Sequence, residues 1–428
     1  MEISEVLGTV FTGLLGLAGL MAIAVAFSSH RRNIDWGTVH AGVGLQIAFG
    51  MFVILTPWGG LLFDALARFF VTLIGFFRPG AMFIFGPLSA ENSNFGYIFA
   101  FQVLPTIIFF AALMAVLYHL GVMQKVVGAM AWFMRRLMRI SGAESLAVAA
   151  NVFVGQTEAP LVVRPYIAKM TQSELFTMMV AGMATIAGAV LAAYIGLLGG
   201  DSPEEKLFFA KHLLSASIMA APATIVIAKL LIPETQESVT MGSVNMEVEK
   251  TAHNAIEAAA NGAGDGWRLA MNVGAMLLAF IALIALINWP LEWLGEITGI
   301  SERLGKPLNL ALILGYLLAP LAWLMGVPSD EIVTVGGLIG QKLVTNEFVA
   351  YVEFNGIQAE MSDKARLITT YALCGFANFS SIAIQIGGIG PLAPERRSEI
   401  ASLGLKAVLG GTLVSMMTAT IAGVLHSF

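Results

Sequence analysis

A short polar segment interrupts an otherwise apolar region at Asn151-Val152-Phe153-Val154-Gly155-Gln156-Thr157-Glu158-Ala159-Pro160. It places an amide, a hydroxyl and a carboxylate side by side. Burying such groups is unfavourable unless they have partners, so a polar ligand is the natural reason to keep them. Gly155 and Pro160 favour a break in any helix at this point. We interpret the segment as a place where two half-helices meet and point at a small polar solute.

The composition of the chain is that of a polytopic membrane protein. Hydrophobic residues make up 57% of the 428 residues and charged residues only 12%, whereas soluble domains carry roughly a quarter charged residues. Nine runs with few or no charges approach or exceed about 20 residues, the length that spans a bilayer as a helix. They are Leu7–Phe27, Thr38–Phe63, Ile98–Leu117, Leu175–Gly200, Leu213–Leu231, Leu269–Trp289, Leu308–Val327, Leu367–Leu392 and Ala407–Leu425.

Several classes of function are disfavoured by the composition and by missing motifs. The single cysteine, Cys374, allows no disulfide within the chain, and a net charge of −5 argues against binding to nucleic acid. The sequence contains no P-loop and no H-E-x-x-H motif, and its six histidines have no metal-ligand spacing. An enzyme is therefore not expected, and transport powered by ATP would need a separate subunit.

Basic residues predict the orientation of the chain, because they collect on the cytoplasmic side of short loops. Arg31 and Arg32 follow the first span, which places the N-terminus outside, and an even number of crossings returns the C-terminus there. Lys125–Ile140 is predicted to be an amphipathic helix that lies on the inner surface of the membrane. The alternative is that it forms the end of the third span, whose basic side chains snorkel to the interface. Ser145–Ala168 has to enter from the cytoplasm and return to it, which predicts a re-entrant hairpin.

The second half of the chain repeats the first with opposite orientation. Thr345-Asn346-Glu347 mirrors Gln156-Thr157-Glu158, and the small, polar run 374–381 lines up with 181–188. Inverted repeats with broken helices are typical of secondary transporters that bind their substrate near the middle of the membrane. The predicted organisation is listed in chain order: scaffold spans one to three at 1–122, a first repeat at 123–232, a cytoplasmic connector with scaffold span six at 233–290, and a second repeat at 291–428.

The polar interruptions suggest two different half-sites. Gln156, Thr157 and Glu158 suit the edge of a planar heterocycle with alternating donors and acceptors. Glu347 with Asn378 and Ser381, which lie three residues apart on one helix face, suit the vicinal hydroxyls of a sugar, and Phe376 lies near the same break. Oxygen atoms near the two breaks of the first repeat suit a sodium ion. The residues that flank those breaks are Asn151, Val154, Thr185 and Ile186.

Three segments resemble the bacterial concentrative nucleoside transporters: Asn151–Pro165, Asn346–Tyr351 and Cys374–Ser381. The likeness covers essentially the whole chain. It implies eight transmembrane helices, interfacial helices and two opposed hairpins in each protomer, three protomers around a scaffold, and an elevator movement of the part that holds both hairpins.

The resemblance also implies roles for individual residues. The positions that match the base-binding set are Gln156, Thr157 and Glu158, with Val190 beside the base. The positions that match the ribose-binding set are Glu347, Asn378 and Ser381, with Phe376 nearby. Sodium would be held by the carbonyls of Asn151, Val154 and Ile186 and by Thr185, where the family is associated with a serine.

The expected function is therefore import of nucleosides such as uridine across the inner membrane, coupled to sodium. Proton coupling is the alternative, with Glu158 or Glu347 as the titrating group. A free nucleobase or an amino acid is a second alternative for the solute. A channel, or an intramembrane hydrolase that uses the two carboxylates, fits the sequence less well.

Overall fold

The computed structural model describes residues 3–90, 98–241 and 252–428, and the regular structure within these ranges is helical. Eight helical stretches of the described chain are long and apolar enough to cross a membrane. The expectation of an all-α polytopic protein is confirmed. Short 3₁₀ turns connect some of the helices, and they lie at Arg31–Asn33, Gly86–Ser89, Gln358–Glu360, Gly390–Leu392 and Pro394–Arg396.

Seven helices of the described chain precede the helix that leads into the first polar interruption. They are α1 (Ile3–Ala26), α2 (Trp36–Leu55), α3 (Pro57–Gly75), α4 (Arg78–Phe85), α5 (Phe99–Gln102), α6 (Leu104–His119) and α7 (Val122–Met138). Gly121 separates α6 from α7 in a left-handed conformation, with φ of 77°, that favours glycine. The predicted amphipathic segment is thus a helix of its own, and the interpretation as an extended end of the third span is wrong.

The first repeat contains a pair of short helical arms, a broken helix and one long helix. Its elements are α8 (Gly142–Asn151), α9 (Ala159–Val162), α10 (Arg164–Ile167), α11 (Gln172–Ala184), α12 (Gly188–Gly199) and α13 (Pro203–Leu231). We call residues 152–158 the first tip and residues 185–187 the first break. Both α8 and α11 begin with a capping box, Ser141 with Glu144 and Thr171 with Glu174, which sets where each helix starts.

Three helices lead to the second repeat, which has the same order of elements. The connecting helices are α14 (Ala255–Ile297), α15 (Ile300–Leu304) and α16 (Leu310–Leu324). The second repeat consists of α17 (Ile332–Val344), α18 (Glu347–Ile357), α19 (Asp363–Leu373), α20 (Phe379–Ile389) and α21 (Arg397–Leu425). We call residues 345–346 the second tip and residues 374–378 the second break. The long helices α13 and α21 both have 29 residues.

The helices of the two repeats form the centre of the molecule. We compare the most apolar stretch of 18 residues in each span. In α11–α12, in α13 and in α21, 89% of the residues in this stretch are buried, whereas in α14 only 17% are buried. The helix α6 packs along α14, and α16 packs along α17. The exposed apolar faces of the outer helices suit contact with lipid or with another subunit.

The two breaks lie against each other at the centre. A Cβ atom added to Gly375 would lie 2.8 Å from the carbonyl oxygen of Ala184, and Gly375 also has a φ of 122°. Both the close approach and the left-handed backbone require glycine at this position. The contact brings the end of α11 next to the second break, so residues from both repeats meet in one place.

One predicted span differs from the structure. The run Thr38–Phe63 is not one helix, because α2 ends at Leu55 and α3 begins at Pro57. The Thr56 hydroxyl accepts the backbone N–H of Gly59 at 3.0 Å, and proline is favoured at the first position of a new helix. As a result Pro57–Ser89 is a further candidate membrane span. The described chain thus has eight candidate spans, the number that the family resemblance implies, but they are not all the predicted ones.

The predicted connector, expected to contain helical parts, includes the start of a long helix. Helix α14 already begins at Ala255, where Asn254 caps it by accepting from the backbone N–H of Glu257 at 2.9 Å. The helix then continues for 43 residues through the predicted span Leu269–Trp289. Part of the predicted connector, residues 242–251, lies outside the described residues.

Candidate functional site

Glu347 is the first residue of α18, and its side chain is 4% exposed. The Tyr194 hydroxyl donates to Oε1 at 3.1 Å, and the Asn378 side-chain amide donates to Oε2 at 2.8 Å. Hydrogen bonds to a charged acceptor are stronger than neutral ones, which makes it possible to bury this carboxylate. Because Tyr194 belongs to α12 and Asn378 lies at the start of α20, Glu347 connects both repeats.

Asn378 is held in a single orientation by the start of α20. Its Oδ1 accepts the backbone N–H of Ser381 at 2.9 Å and the hydroxyl of Ser380 at 2.7 Å. Asparagine is a preferred residue at the N-cap of a helix, because its side-chain oxygen satisfies a free backbone donor there. The cap leaves the amide N–H₂ free to point at Glu347. The break in the helix therefore positions a donor group in the buried centre.

Gln156 joins the first tip to α20. Its Nε2 donates to the Ser381 hydroxyl at 3.2 Å, and its Oε1 accepts from Nε2 of Gln385, also at 3.2 Å. Gln385 additionally donates to the carbonyl of Met179 at 2.8 Å. The amide of Gln156 is thus oriented on both sides by residues of the second repeat. Ser381 brings the predicted base half-site into direct contact with the predicted sugar half-site.

The remaining residues of the first tip are less enclosed. Thr157 is half-buried against Gly388, where an added Cβ atom would lie 2.8 Å from Cγ2 of Thr157. Glu158 is exposed, and its carboxylate lies over Gly155, where a Cβ atom would come within 2.3 Å of Oε2. A side chain at position 155 would displace this carboxylate. The glycine therefore permits the conformation of Glu158 in the tip.

The predicted sodium residues lie where the first tip meets the first break. The Thr185 hydroxyl donates to the carbonyl of Asn151 at 2.7 Å and to that of Ala181 at 2.9 Å. The backbone N–H of Gly188 donates to the carbonyl of Phe153 at 3.1 Å, which ties the tip to α12. Oδ1 of Asn151 is buried and has no hydrogen-bond partner.

The electrostatics of this place favour a cation. Helices α8 and α11 both end here, and the C-terminal end of a helix carries partial negative charge. Val154 lies in the tip and Ile186 in the break, so their carbonyls lie outside regular helix. The described residues include no group of three or more His, Cys, Asp or Glu that could hold a metal ion. Neutral oxygen atoms at helix ends suit a monovalent ion better than a multivalent one.

The two predicted apolar contacts flank the same centre. Val190 is buried on α12, four residues before Tyr194, so both lie on one face of the helix. Phe376 is half-buried within the second break, two residues before Asn378. The structure thus places the predicted base, sugar and sodium residues in the two tips, in the two breaks and in the helices that flank them.

Three buried polar residues near this centre were not predicted from the sequence: Tyr194, Lys342 and Gln385. Each is the longest polar or charged side chain within an apolar helical stretch, on α12, α17 and α20 respectively. That isolation is itself a signal, because an unpartnered polar group in such a helix is costly. The partners, however, lie on other helices far away in the chain.

Comparison with known proteins identifies the family of this chain. The family profile described as Na+ dependent nucleoside transporter C-terminus matches residues 212–423, and the corresponding N-terminus profile matches residues 15–88. A profile described as a nucleoside recognition gate matches residues 100–201. A protein of Bacillus subtilis described as uncharacterized transporter YutK is 49% identical over 97% of this chain and 99% of its own length. This chain belongs to the sodium-dependent nucleoside transporter family.

Members of this family are transporters and not enzymes, and sodium is the co-transported ion. The mouse sodium/nucleoside cotransporter 1 is 40% identical over 96% of this chain and 63% of its own length. The transporter described here thus corresponds to about two thirds of that relative. The family and the apolar helices together make it a multi-pass membrane protein.

Solved structures show the same fold. The structure of CNTnw in an inward-facing substrate-bound state is 43% identical, covers 98% of both chains and has a TM-score of 0.88. A variant of CNTnw in an outward-facing state also gives a TM-score of 0.88. Both likenesses establish the concentrative nucleoside transporter fold for this chain.

Proposed function

We propose that this transporter imports nucleosides such as uridine together with sodium across the cell (inner) membrane. The observation that carries the proposal is the link from Gln156 through Ser381 to Asn378 and Glu347. One end of this chain of hydrogen bonds offers amide donors and acceptors, and the other offers a buried carboxylate. A nucleoside has both kinds of surface, a base edge and vicinal hydroxyls, within one small molecule.

In the proposed complex the base edge contacts Gln156, Thr157 and Glu158, with Val190 beside the ring. The ribose hydroxyls donate to Glu347 and accept from Asn378, while Ser381 and Phe376 complete the sugar side. Glu347 already accepts two hydrogen bonds, so the sugar would add donors to a carboxylate with spare acceptor capacity. Competition for uptake by uridine, but not by uracil or free ribose, is expected, because only the nucleoside fills both half-sites.

Sodium is proposed to bind the carbonyls of Asn151, Val154 and Ile186 and the Thr185 hydroxyl. In the structure that hydroxyl donates to the Asn151 carbonyl, so the ion would take over this oxygen and hold the tip against the break. Gln156 follows five residues after Asn151. Ordering of the tip by the ion would therefore orient the base-binding amide, which couples the two ligands.

The larger-scale features are part of the same proposal. The hairpins α8–α10 and α17–α18 are proposed to be re-entrant, with both termini outside and three protomers in the assembly. The repeats at 123–232 and 291–428 would carry the site across the membrane in an elevator movement. Spans from 1–122 and 233–290 would form the scaffold, in which α6 and α14 pack along each other.

Uptake of uridine into liposomes that contain the purified protein tests the proposal. An inward sodium gradient should drive accumulation, whereas a pH gradient alone in sodium-free buffer should not. Accumulation under the pH gradient alone would establish the proton-coupled alternative. Glu158→Gln and Glu347→Gln should each abolish most of the sodium-dependent uptake, and full uptake by Glu158→Gln would refute the assignment of the base half-site.

A further inference from the structure

Lys342 is a buried lysine that the proposed transport cycle leaves unused. Its side chain lies on α17 two residues before the helix ends, and the residue is 1% exposed. Nζ donates to the carbonyl of Ala372 at 3.0 Å and lies 3.4 Å from the Ser415 hydroxyl. Among the described residues no carboxylate oxygen comes within ion-pair distance of this nitrogen. The hydrogen-bond acceptors of its ammonium group are therefore neutral oxygen atoms.

Those oxygen atoms lie at the ends of two helices. Ala372 is in the last turn of α19, and the Ser415 hydroxyl donates to the carbonyl of Cys374 in the second break at 2.8 Å. The ammonium group is thus close to the C-terminal ends of both α17 and α19. Partial negative charge from both helix dipoles converges there and favours a cation.

The first repeat has the same arrangement without a lysine. Helices α8 and α11 end together, and the Thr185 hydroxyl connects them through the Asn151 carbonyl. The position two residues before the end of α8 is Ala149, which is fully buried and carries no charge. The first repeat therefore offers helix-end oxygens with no cation of its own, whereas the second repeat supplies one.

We propose that Lys342 is a tethered cation that takes, in the second repeat, the place that sodium takes in the first. The fixed ammonium keeps a second sodium ion out and thereby restricts coupling to the ion of the first repeat. This inference rests on the proposed function, because it compares Lys342 with the sodium site assigned there.

The same charge supports substrate binding by Glu347. Glu347 is buried five residues after Lys342. The attraction between the ammonium group of Lys342 and the carboxylate of Glu347 favours the charged form of both side chains. A buried carboxylate without an opposite charge nearby is strongly unfavourable. Lys342 therefore acts as a positioning residue, since it stabilises the charged form of the group proposed to bind ribose without touching the sugar.

The inference is tested by titrating purified full-length protein with uridine at a series of sodium concentrations. The same titration is carried out on three variants of Lys342. Lys342→Met removes the charge but fills the space, and it should weaken uridine binding about thirtyfold or more while the sodium dependence stays first order. Lys342→Ala also opens room for an ion, so its sodium dependence should become second order, with affinity recovering at high sodium. Lys342→Arg should bind uridine as the wild type does.

Lys229→Met is the matched control. Lys229 is also a buried lysine, but it pairs with Glu144 at 2.8 Å, and neither residue belongs to the proposed site. This variant should melt at a lower temperature but keep both the wild-type affinity for uridine and the wild-type order in sodium. A merely structural role of Lys342 would produce the same pattern in Lys342→Met.

Wild-type uridine affinity in Lys342→Met, or first-order dependence without recovery in Lys342→Ala, would overturn the inference. If Lys342→Met yields no folded protein, the double variant Lys342→Met with Glu347→Gln should yield it, because neither charge remains; failure of the double variant to fold would also count against the inference. If uridine binding by the wild type does not depend on sodium, the proposed sodium site is rejected instead. The uridine affinity of Lys342→Met would then still test whether Lys342 supports substrate binding by Glu347.

Discussion

The hydroxyl of Tyr194 donates a 3.1 Å hydrogen bond to Oε1 of Glu347 and thereby joins α12 of the first repeat to α18 of the second. Tyr194 is fully buried and packs against Phe348 and Tyr351, with ring centroids 4.6 Å and 4.5 Å apart. The aromatic cluster fixes the ring, and the ring in turn fixes the carboxylate. The sugar half-site is therefore built by both halves of the chain.

Replacement of Tyr194 by phenylalanine should weaken uridine binding about tenfold, because one oxygen of the buried carboxylate loses its donor. Isothermal titration of uridine at saturating sodium measures the effect. Tyr351→Phe is the control, since the Tyr351 hydroxyl donates to the carbonyl of Thr370 at 2.9 Å and not to Glu347. Equal losses of affinity in the two variants would contradict the assigned role.

Replacement of Thr185 by valine should raise the sodium concentration for half-maximal uptake roughly tenfold, because the hydroxyl oxygen is lost while the shape is kept. Thr185→Ser should behave much as the wild type does. The control is Thr177→Val on α11, the helix that ends just before Thr185, where the hydroxyl donates to the carbonyl of Ser173 at 2.8 Å. An unchanged sodium requirement in Thr185→Val would remove this residue from the site.

Replacement of Gln385 by leucine should weaken uridine binding about tenfold, because Oε1 of Gln156 loses the donor that orients its amide. Gln46→Leu provides the comparison. Gln46 is also fully buried, but it donates to the Thr418 hydroxyl at 3.0 Å, away from the site. Uridine affinity that falls as far in Gln46→Leu as in Gln385→Leu would indicate a general loss of packing.

Replacement of Gly182 by alanine tests the close packing behind the first tip. The added Cβ atom would lie 2.8 Å from Cβ of Gln156 and 2.9 Å from Nε2 of Gln385. Overpacking of this kind costs about 1–3 kcal/mol, which should appear mainly as weaker uridine binding since Gln156 has to move. Gly264→Ala, at an open position of α14, should leave binding unchanged. Wild-type affinity in Gly182→Ala would show that the tip adapts freely.

Sequence analysis identified the fold class, both tips and both breaks, because polar residues in apolar sequence are costly and therefore conspicuous. It correctly predicted that the segments around Gln156 and Glu347 interrupt helices. It misjudged the region after Leu55, since a threonine cap followed by proline starts a new helix without interrupting the apolar pattern. It also passed over Tyr194 and Gln385, whose importance depends on partners more than 150 residues away.

The amino-acid sequence by itself determined that this is a polytopic helical membrane protein with a duplicated pair of polar interruptions, because hydropathy and helix-breaking residues act locally along the chain. Only the tertiary structure decided which polar groups meet. The contact of Gly375 with Ala184, the bond from Gln156 to Ser381 and the placement of Lys342 at the ends of two helices all join distant segments. Such contacts follow from how the helices pack, since the buried donors and acceptors of one repeat are satisfied by the other.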